Sequence, residues 1–190
     1  MKALLVVAHP RRDSLTAHVA DRAQARLAAA GAEVDVLDLH AEGFDPRMTA
    51  EDEPDWSDPG KSYSPEVRAH MARVLAADLV VVVFPVWWFG PPAILKGWID
   101  RVFNHGFAYG PSRLGGKRMR WIGLAGEPEN EFARRGMSGL LELQLRDGVS
   151  RYCGIEDAEL TVLHGTLTRG DLRPLLAEAD DLVSNLVSSR

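Results

Sequence analysis

Three consecutive aromatic residues form the part of the sequence best suited to bind a flat ligand. Trp87, Trp88 and Phe89 follow an apolar run at residues 79–83 and precede a pair of prolines at 91–92. This order predicts a buried strand, a sharp turn and then a helix. Large apolar side chains exposed at the end of a strand often mark a binding surface. A core cluster or a dimer contact would give the same pattern, so this segment alone leaves the alternatives open.

A second segment, AHPRRDSLT at residues 8–16, offers polar groups that could hold an anion. If a helix begins after Ser14, its first N–H groups and the positive end of its dipole form a phosphate site. The segment also contains the candidate donors His9, Arg11, Arg12, Ser14 and Thr16. In the simpler interpretation Ser14 only caps the helix and the arginines are solvated. The sequence contains neither the GxGxxG of a Rossmann domain nor the complete GxxxxGKS/T of a P-loop, so we do not expect a nicotinamide nucleotide bound in the Rossmann manner.

The elements that position these segments alternate between strand and helix patterns. Continuous apolar runs at residues 3–8 and 79–84 predict parallel strands that are buried on both faces. Weaker strand patterns occur at 34–39, 117–124 and 158–163. Helical spacing of apolar residues predicts helices after Ser14 and Pro92, from Pro65 onward, and over 137–152 and 169–187. This succession predicts one α/β domain over residues 1–190, a doubly wound five-stranded parallel sheet of order 2-1-3-4-5. In that order the ligand crevice lies between strands 1 and 3, where the two segments meet.

Composition restricts the possible partners and compartments. The net charge of −5 argues against nucleic acid, which requires a basic surface. Cys153 is the only cysteine, so an internal disulfide and a multi-cysteine metal site are excluded, and we predict no metal centre. The first apolar run is too short for a signal peptide, and none approaches the roughly 18 residues that a membrane span requires. We therefore predict a cytoplasmic protein without a transmembrane segment.

Four motifs together resemble a known family. AHPRRDSLT at 8–16, FPVWWFGPPAILKGWIDRVF at 84–103, GFAYG at 106–110 and YCG at 152–154 occur in this order. They are similar to the flavodoxin-like NAD(P)H:quinone oxidoreductase family of the DT-diaphorase type, including its small bacterial members. The likeness covers residues 2–176 and implies the same flavodoxin-like fold.

The resemblance also implies a cofactor, an activity and an assembly. The cofactor would be a tightly bound flavin, usually FAD in this family with FMN as the open alternative, and the protein would be a homodimer with the active site between subunits. In the implied ping-pong reaction, hydride passes from NAD(P)H to the flavin and then to a quinone or similar acceptor. By motif position, the implied cofactor-binding residues are His9, Ser14, Leu15, Thr16, Pro85, Val86, Trp87, Trp88, Phe89, Gly90, Leu124, Ala125, Gly126 and Glu127.

The loop predicted after strand 4, residues 124–139, departs from the family pattern. The family has a Tyr and a His there that assist charge redistribution on the flavin, and this sequence has Phe132 and Ser138. Neither can become charged near neutral pH. Tyr109 and His105 are therefore the candidate catalytic residues, although Tyr109 could equally be structural. Glu127 could lie beside the flavin or point to solvent.

The sequence leaves several functional questions open. The replaced pair suggests an alternative function, a regulatory flavoprotein subunit of a glutathione-gated potassium efflux system. An electron-transfer flavodoxin is disfavoured by the His-Pro-Arg-Arg loop and the modest net charge. Arg11, Arg12 and Arg134 are candidates to bind a 2′-phosphate, and the preference for NADH or NADPH stays open. The long loop at 40–63, with Trp56 and Tyr63, is a candidate adenine contact and favours FAD.

Overall fold

A parallel sheet organises the molecule. The computed structural model describes residues 1–168 and 170–188. Its strands are β1 Lys2–Val7, β2 Glu33–Asp38, β3 Leu79–Pro85, β4 Arg118–Leu124 and β5 Asp157–Leu163. All neighbouring strands pair in parallel in the order β2-β1-β3-β4-β5, which confirms the predicted topology.

Helices cover both faces of this sheet. They are α1 Leu15–Ala29, α2 Pro65–Ala76, α3 Ala93–Val102, α4 Glu129–Arg134, α5 Ser138–Glu142 and α6 Arg173–Ser188, with a π-helical segment Leu143–Arg151 directly after α5. One core cluster joins one face of the sheet to α1 and α6, and the other joins the opposite face to α2, α3 and the π-helical segment. Because β3 is buried along its whole length, it carries a continuous apolar run. None of the described helices is both long and apolar enough to cross a bilayer.

Three helix predictions need correction. Residues 129–134, which we expected to be loop, form α4, whose first turn carries the acidic residues that a helix dipole favours. The predicted helix at 137–152 divides into α5 and the π-helical segment, where the Ser150 hydroxyl donates to the Leu145 carbonyl and accepts from Trp121 Nε1. The closing helix begins at Arg173, and its predicted start at Arg169 lies outside the described residues.

The long loop between β2 and α2 is tied to the rest of the fold by a buried carboxylate. Asp52 is completely buried, and it accepts hydrogen bonds from the Ser64 N–H at 2.8 Å and from Arg101 Nη2 at 2.7 Å. Two glycines allow the loop backbone to approach closely. A Cβ at Gly97 would lie 2.2 Å from the carbonyl oxygen of Pro46, and one at Gly106 would lie 2.1 Å from that of Pro59.

Candidate functional site

A cavity of about 580 Å³ opens at the carboxyl ends of β1, β3 and β4. Every predicted cofactor-binding residue except Gly90 lines it, so the structure brings the two segments together as the strand order predicts. Gly90 instead pairs with Trp87 through backbone hydrogen bonds in both directions. The lining also includes Arg11, Pro128, Phe132, Thr166, Leu167 and Thr168. Residues 166–168 are absent from the predicted set of cofactor-binding residues, because they follow β5 and carry no motif of their own.

The aromatic turn after β3 has a strained backbone. Trp88 and Phe89 have φ angles of 51° and 59°, in the left-handed region that L-residues other than glycine avoid. The turn is closed by the backbone pair between Trp87 and Gly90. Within the described part of the chain, the N–H groups of Trp88 and Phe89 have no hydrogen-bond partner. Both residues line the cavity, where these amides are potential donors to a ligand.

The first turn of α1 contributes a second set of donors. The Ser14 hydroxyl accepts the N–H of Ala17 at 3.1 Å and so caps the helix. The N–H groups of Leu15 and Thr16 have no partner among the described residues, and both residues line the cavity. An anion placed there would be stabilised by the free amides and by the helix dipole.

His9 is held in a neutral form beside the aromatic turn. Its Nδ1 accepts the N–H of Arg11 at 3.1 Å, which places the remaining proton on Nε2. Its ring packs edge-on against Trp87, with the ring centroids 5.8 Å apart. Burial lowers the pKa of His9 from its ordinary value near 6.5. The side chain is therefore a hydrogen-bond donor through Nε2 at neutral pH.

The loop after β4 supplies packing and one carboxylate. Phe132 is buried and lines the cavity, with ring centroids 5.3 Å from Phe89 and 5.0 Å from His164. Ser138 does not line this cavity and belongs to a neighbouring groove. Glu127 lines the cavity, and its Oε2 lies 3.4 Å from Arg135 Nε without a hydrogen bond. The nearby guanidinium offsets its negative charge.

The two candidate catalytic residues lie outside this cavity. Tyr109 and His105 belong to an aromatic cluster with Trp56 and Tyr152, in which neighbouring ring centroids are 5.2–5.8 Å apart. His105 Nδ1 lies 3.0 Å from the Asp55 carbonyl oxygen. Burial is the main cause of a raised Tyr109 pKa. Their catalytic role stays a prediction, and it would require a second subunit to bring them to a cavity.

Several other candidate contacts are engaged within the fold. Tyr63 is buried and donates to the His105 carbonyl at 2.7 Å, so it is not available to stack on an adenine, contrary to expectation. Arg12 pairs with Asp21 and Asp38, and Arg134 pairs with Glu131. Of the three arginines considered for a 2′-phosphate, Arg11 lines the cavity.

Neither thiol nor metal chemistry has structural support in the described ranges. Cys153 is buried, and burial raises its pKa to about 11, so its thiol stays protonated at neutral pH. Within residues 1–168 and 170–188, no three His, Cys, Asp or Glu side chains are grouped as metal ligands.

Comparisons with known proteins agree with this geometry. The model of the family described as having a flavodoxin-like fold matches residues 1–185. An uncharacterized NAD(P)H oxidoreductase, YcaK of Escherichia coli strain K12, is 43% identical over 190 residues, covering 96% of each chain. NAD(P)H dehydrogenase [quinone] 1 of Cavia porcellus is 31% identical, covering 86% of this chain and 68% of the relative.

A solved structure shows the same agreement in three dimensions. The NAD(P)H:quinone oxidoreductase from Methanothermobacter marburgensis superimposes with a TM-score of 0.91 at 26% identity, over 98% of this chain and 96% of that one. The sequence motifs, the strand order and the family model all lead to the same assignment. The chain belongs to the flavodoxin-like family of NAD(P)H oxidoreductases.

Proposed function

We propose that this protein is a flavin-dependent NAD(P)H:quinone oxidoreductase that reduces a quinone or similar aromatic acceptor by a ping-pong sequence. One observation carries the proposal: the first turn of α1 and the strained aromatic turn after β3 line the same cavity. The names of the relatives support this activity. They give no support to a regulatory subunit of a potassium efflux system.

The start of α1 suits the phosphate of a flavin nucleotide. The unpartnered N–H groups of Leu15 and Thr16 offer two donors at the positive end of the helix dipole. Arg11 adds a positive charge to the same lining. We therefore infer that the phosphate end of the flavin binds between Arg11 and the first turn of α1.

The other end of the cavity suits a flavin ring. Pro85, Val86 and the aromatic side chains provide apolar walls, and the free amides of Trp88 and Phe89 can donate to a polar ring edge. When bound there, a flavin supplies the two-electron chemistry between NAD(P)H and the acceptor. The protein contributes binding, orientation and the exclusion of water.

The cavity has few groups that could move a proton. Phe132 replaces the family Tyr and contributes packing alone, and Ser138 lies outside the lining. Besides Arg11, the ionisable side chains of the lining are His9 and Glu127. General acid–base assistance is typically worth about 10²–10⁴-fold in rate. We therefore expect slower turnover than in family members that keep the Tyr and His.

A homodimer would complete the site. In this proposal Tyr109 and His105 of one subunit face the cavity of the other. Their position in an aromatic cluster with Trp56 and Tyr152, both about two-thirds exposed, supports a contact on that surface. We further propose FAD as the cofactor, with FMN as the alternative and Trp56 of the second subunit as the adenine contact. The chain would then be a single cytoplasmic flavin-binding domain.

The function is tested by identifying the cofactor and then measuring turnover. We would purify the full chain, extract and identify any bound flavin, and reconstitute it with FAD or FMN. Steady-state assays with NADH and NADPH over a panel of quinones should give parallel double-reciprocal lines, as expected for a ping-pong sequence. A protein that retains no flavin after reconstitution would contradict the proposal. Bound flavin without quinone-stimulated NAD(P)H oxidation would contradict the proposed enzymatic activity but would support the proposed flavin binding.

The location of the phosphate is tested separately with two charge reversals. Arg11→Glu places a carboxylate at the cavity, so we expect weaker flavin binding in fluorescence titrations. Arg134→Glu makes the same change at an exposed position outside the lining and should leave flavin affinity unchanged. Equal affinities for the two variants would show that Arg11 does not contact the phosphate.

A further inference from the structure

A second, smaller cavity carries positive charge that the proposed reaction does not use. Its volume is about 230 Å³, and it lies between residues 59–63 of the long loop and residues 105–113 after α3. Lys61, Arg68 and Arg113 line it, and no carboxylate belongs to the lining. We name this site the cationic pocket.

These three cations differ from most others among the described residues because no carboxylate pairs with them. Most other described arginines pair with at least one carboxylate, and Arg73 and Arg101 each pair with two. No carboxylate oxygen of the described residues lies within 4.0 Å of the charged nitrogens of Lys61, Arg68 or Arg113. In a chain of net charge −5, three unpaired cations around one pocket require an explanation.

Neutral groups hold the three side chains at the pocket. Lys61 Nζ donates to the Glu53 carbonyl at 2.6 Å, and Arg68 Nη1 donates to the Tyr63 carbonyl at 2.7 Å. The Arg113 guanidinium lies over the Phe107 ring, 5.6 Å from its centroid. These contacts orient the cations without pairing any of them with a carboxylate.

Two acidic side chains of the same loop, Asp55 and Asp58, accept hydrogen bonds from the backbone of the loop itself. Asp55 Oδ1 accepts from the N–H of Ser57 at 2.9 Å, and Asp58 Oδ1 accepts from the N–H of Gly60 at 2.9 Å. The hydrogen bonds with Ser57 are the main cause of a lowered Asp55 pKa, to which Lys61 adds a smaller electrostatic contribution. Neither carboxylate lines the cationic pocket.

The pocket has an apolar floor beneath its charged rim. Tyr63, Met71 and Phe107 are buried and line it. An anion bound beside such a floor is partly removed from water, which strengthens its attraction to each cation. Guanidinium and ammonium groups are the usual protein ligands of phosphate, arginine as a fork and lysine as a point charge.

We propose that the cationic pocket binds a phosphate group. Its volume accommodates a phosphate ion or the phosphate end of a larger molecule, and its three cations more than balance the two negative charges of a phosphate dianion. Two sources share this chemistry, a free phosphate ion and the phosphate of a nucleotide. The inference does not depend on flavin binding or on turnover.

Isothermal titration calorimetry of the full chain at low ionic strength would test the proposal. Inorganic phosphate, adenosine 2′-monophosphate and adenosine are the three probes, with potassium chloride as the control for bulk ionic strength. We expect saturable binding of phosphate and none of adenosine. Tighter binding of the nucleotide than of inorganic phosphate identifies a nucleotide as the ligand, and equal binding identifies the free ion. Failure of both phosphate probes to bind overturns the proposal.

Two variants test whether phosphate binds at the cationic pocket. Arg113→Gln should weaken phosphate binding about tenfold, since one charge-assisted contact is lost. Arg113 is exposed, and no side-chain hydrogen bond depends on it, so thermal unfolding should show an intact fold. Arg47→Gln removes a cation from the same long loop, away from the pocket, and should leave binding unchanged. If phosphate binds wild type and Arg113→Gln equally, the ion binds elsewhere, for instance at α1, and the proposal is wrong.

Discussion

At the scale of single residues, the aromatic turn after β3 combines strain with exposure. Trp88 has a left-handed backbone, and its side chain is 97% exposed, so packing within the chain does not offset the strain. Left-handed conformations cost about 1–2 kcal/mol per L-residue. Strain of this kind concentrates at functional sites, where the surrounding structure maintains it. The strain and the exposure of Trp88 thus favour binding of a ligand by this turn over packing of the turn in the hydrophobic core.

Substitution of Trp88 should relieve part of the backbone strain in the aromatic turn. Asparagine tolerates the left-handed region, so Trp88→Asn should raise the free energy of unfolding of the flavin-free protein by about 0.5–1 kcal/mol in urea denaturation. The same variant should bind flavin more weakly, because an apolar wall is lost. Met48→Asn is the control, since Met48 is also exposed but lacks a positive φ and lies outside the cavity and the aromatic cluster. A less stable Trp88→Asn protein would contradict the strain argument.

Two histidines make stability depend on pH. His70 is buried, and its Nδ1 accepts the Trp98 Nε1–H at 3.1 Å. Burial is the main cause of its lowered pKa, and the pKa of His9 is lowered for the same reason. Because the unfolded chain binds these protons more readily, the stabilisation is present above pH 6.5 and is lost as the pH falls through the lowered pKa values.

This pH dependence is measurable by urea denaturation at pH 7.5 and 5.5. Wild type should lose stability at the lower pH, and His70→Gln should lose less, because glutamine can accept the same hydrogen bond but cannot be protonated. His18→Gln changes an exposed histidine of α1 and should behave as wild type. An unchanged pH dependence in His70→Gln would assign the effect to other groups.

At the scale of elements, the long loop between β2 and α2 is positioned by α3. Arg101 of α3 reaches Asp52 and Glu66, and Asn104 donates to the Asp52 carbonyl at 2.6 Å. This network holds the loop segment that carries Trp56 and Lys61. A loop of this length therefore has a defined place without regular secondary structure.

Removal of the buried carboxylate should loosen the loop. Asp52→Ala leaves part of the Arg101 charge unpaired in the interior, which typically costs about 3–5 kcal/mol. We expect that loss in urea denaturation, together with faster proteolysis within residues 40–63. Asp45→Ala breaks an exposed pair with Arg47 in the same loop, and exposed pairs are worth about 0–1 kcal/mol. Similar losses in the two variants would refute the role assigned to Asp52.

At the scale of the whole molecule, two features point to an incomplete site. The cavity lacks the family's Tyr and His, and the candidate replacements Tyr109 and His105 lie outside it in the cluster with Trp56 and Tyr152. A second subunit would reconcile these positions. The proposed dimer thus links the exposed aromatic surface to the proposed reaction.

The dimer is tested by placing a charge on this surface. Tyr152→Glu should shift the protein toward monomer in sedimentation velocity and lower quinone reduction, because burial of an unpaired carboxylate is costly. Some flavin should still bind, since Tyr152 does not line the cavity, but more weakly than in wild type, because the adenine contact proposed for Trp56 of the second subunit is lost. Met48→Glu, an exposed apolar position outside the aromatic cluster, should remain dimeric. A dimeric Tyr152→Glu protein with wild-type turnover would exclude this surface as the interface.

The sequence alone determined the strand order and the location of the cavity. Strands buried on both faces, such as β3, must be apolar throughout, and the order of strands and helices restricts the topology. That topology brings residues 9–16 and 85–89 together at the ends of β1 and β3. The family motifs lie in these segments, which explains why local pattern and the structure agree there.

Only the tertiary structure decided the features that depend on distant contacts. The place of the long loop depends on Asp52 and Arg101, which are 49 residues apart. The three cations of the cationic pocket come from two separate segments and α2, and no local pattern connects them. Residues 166–168 enter the cavity because β5 ends beside the loop after β4. Local pattern determines which face of an element is buried, whereas packing between elements determines which loops meet.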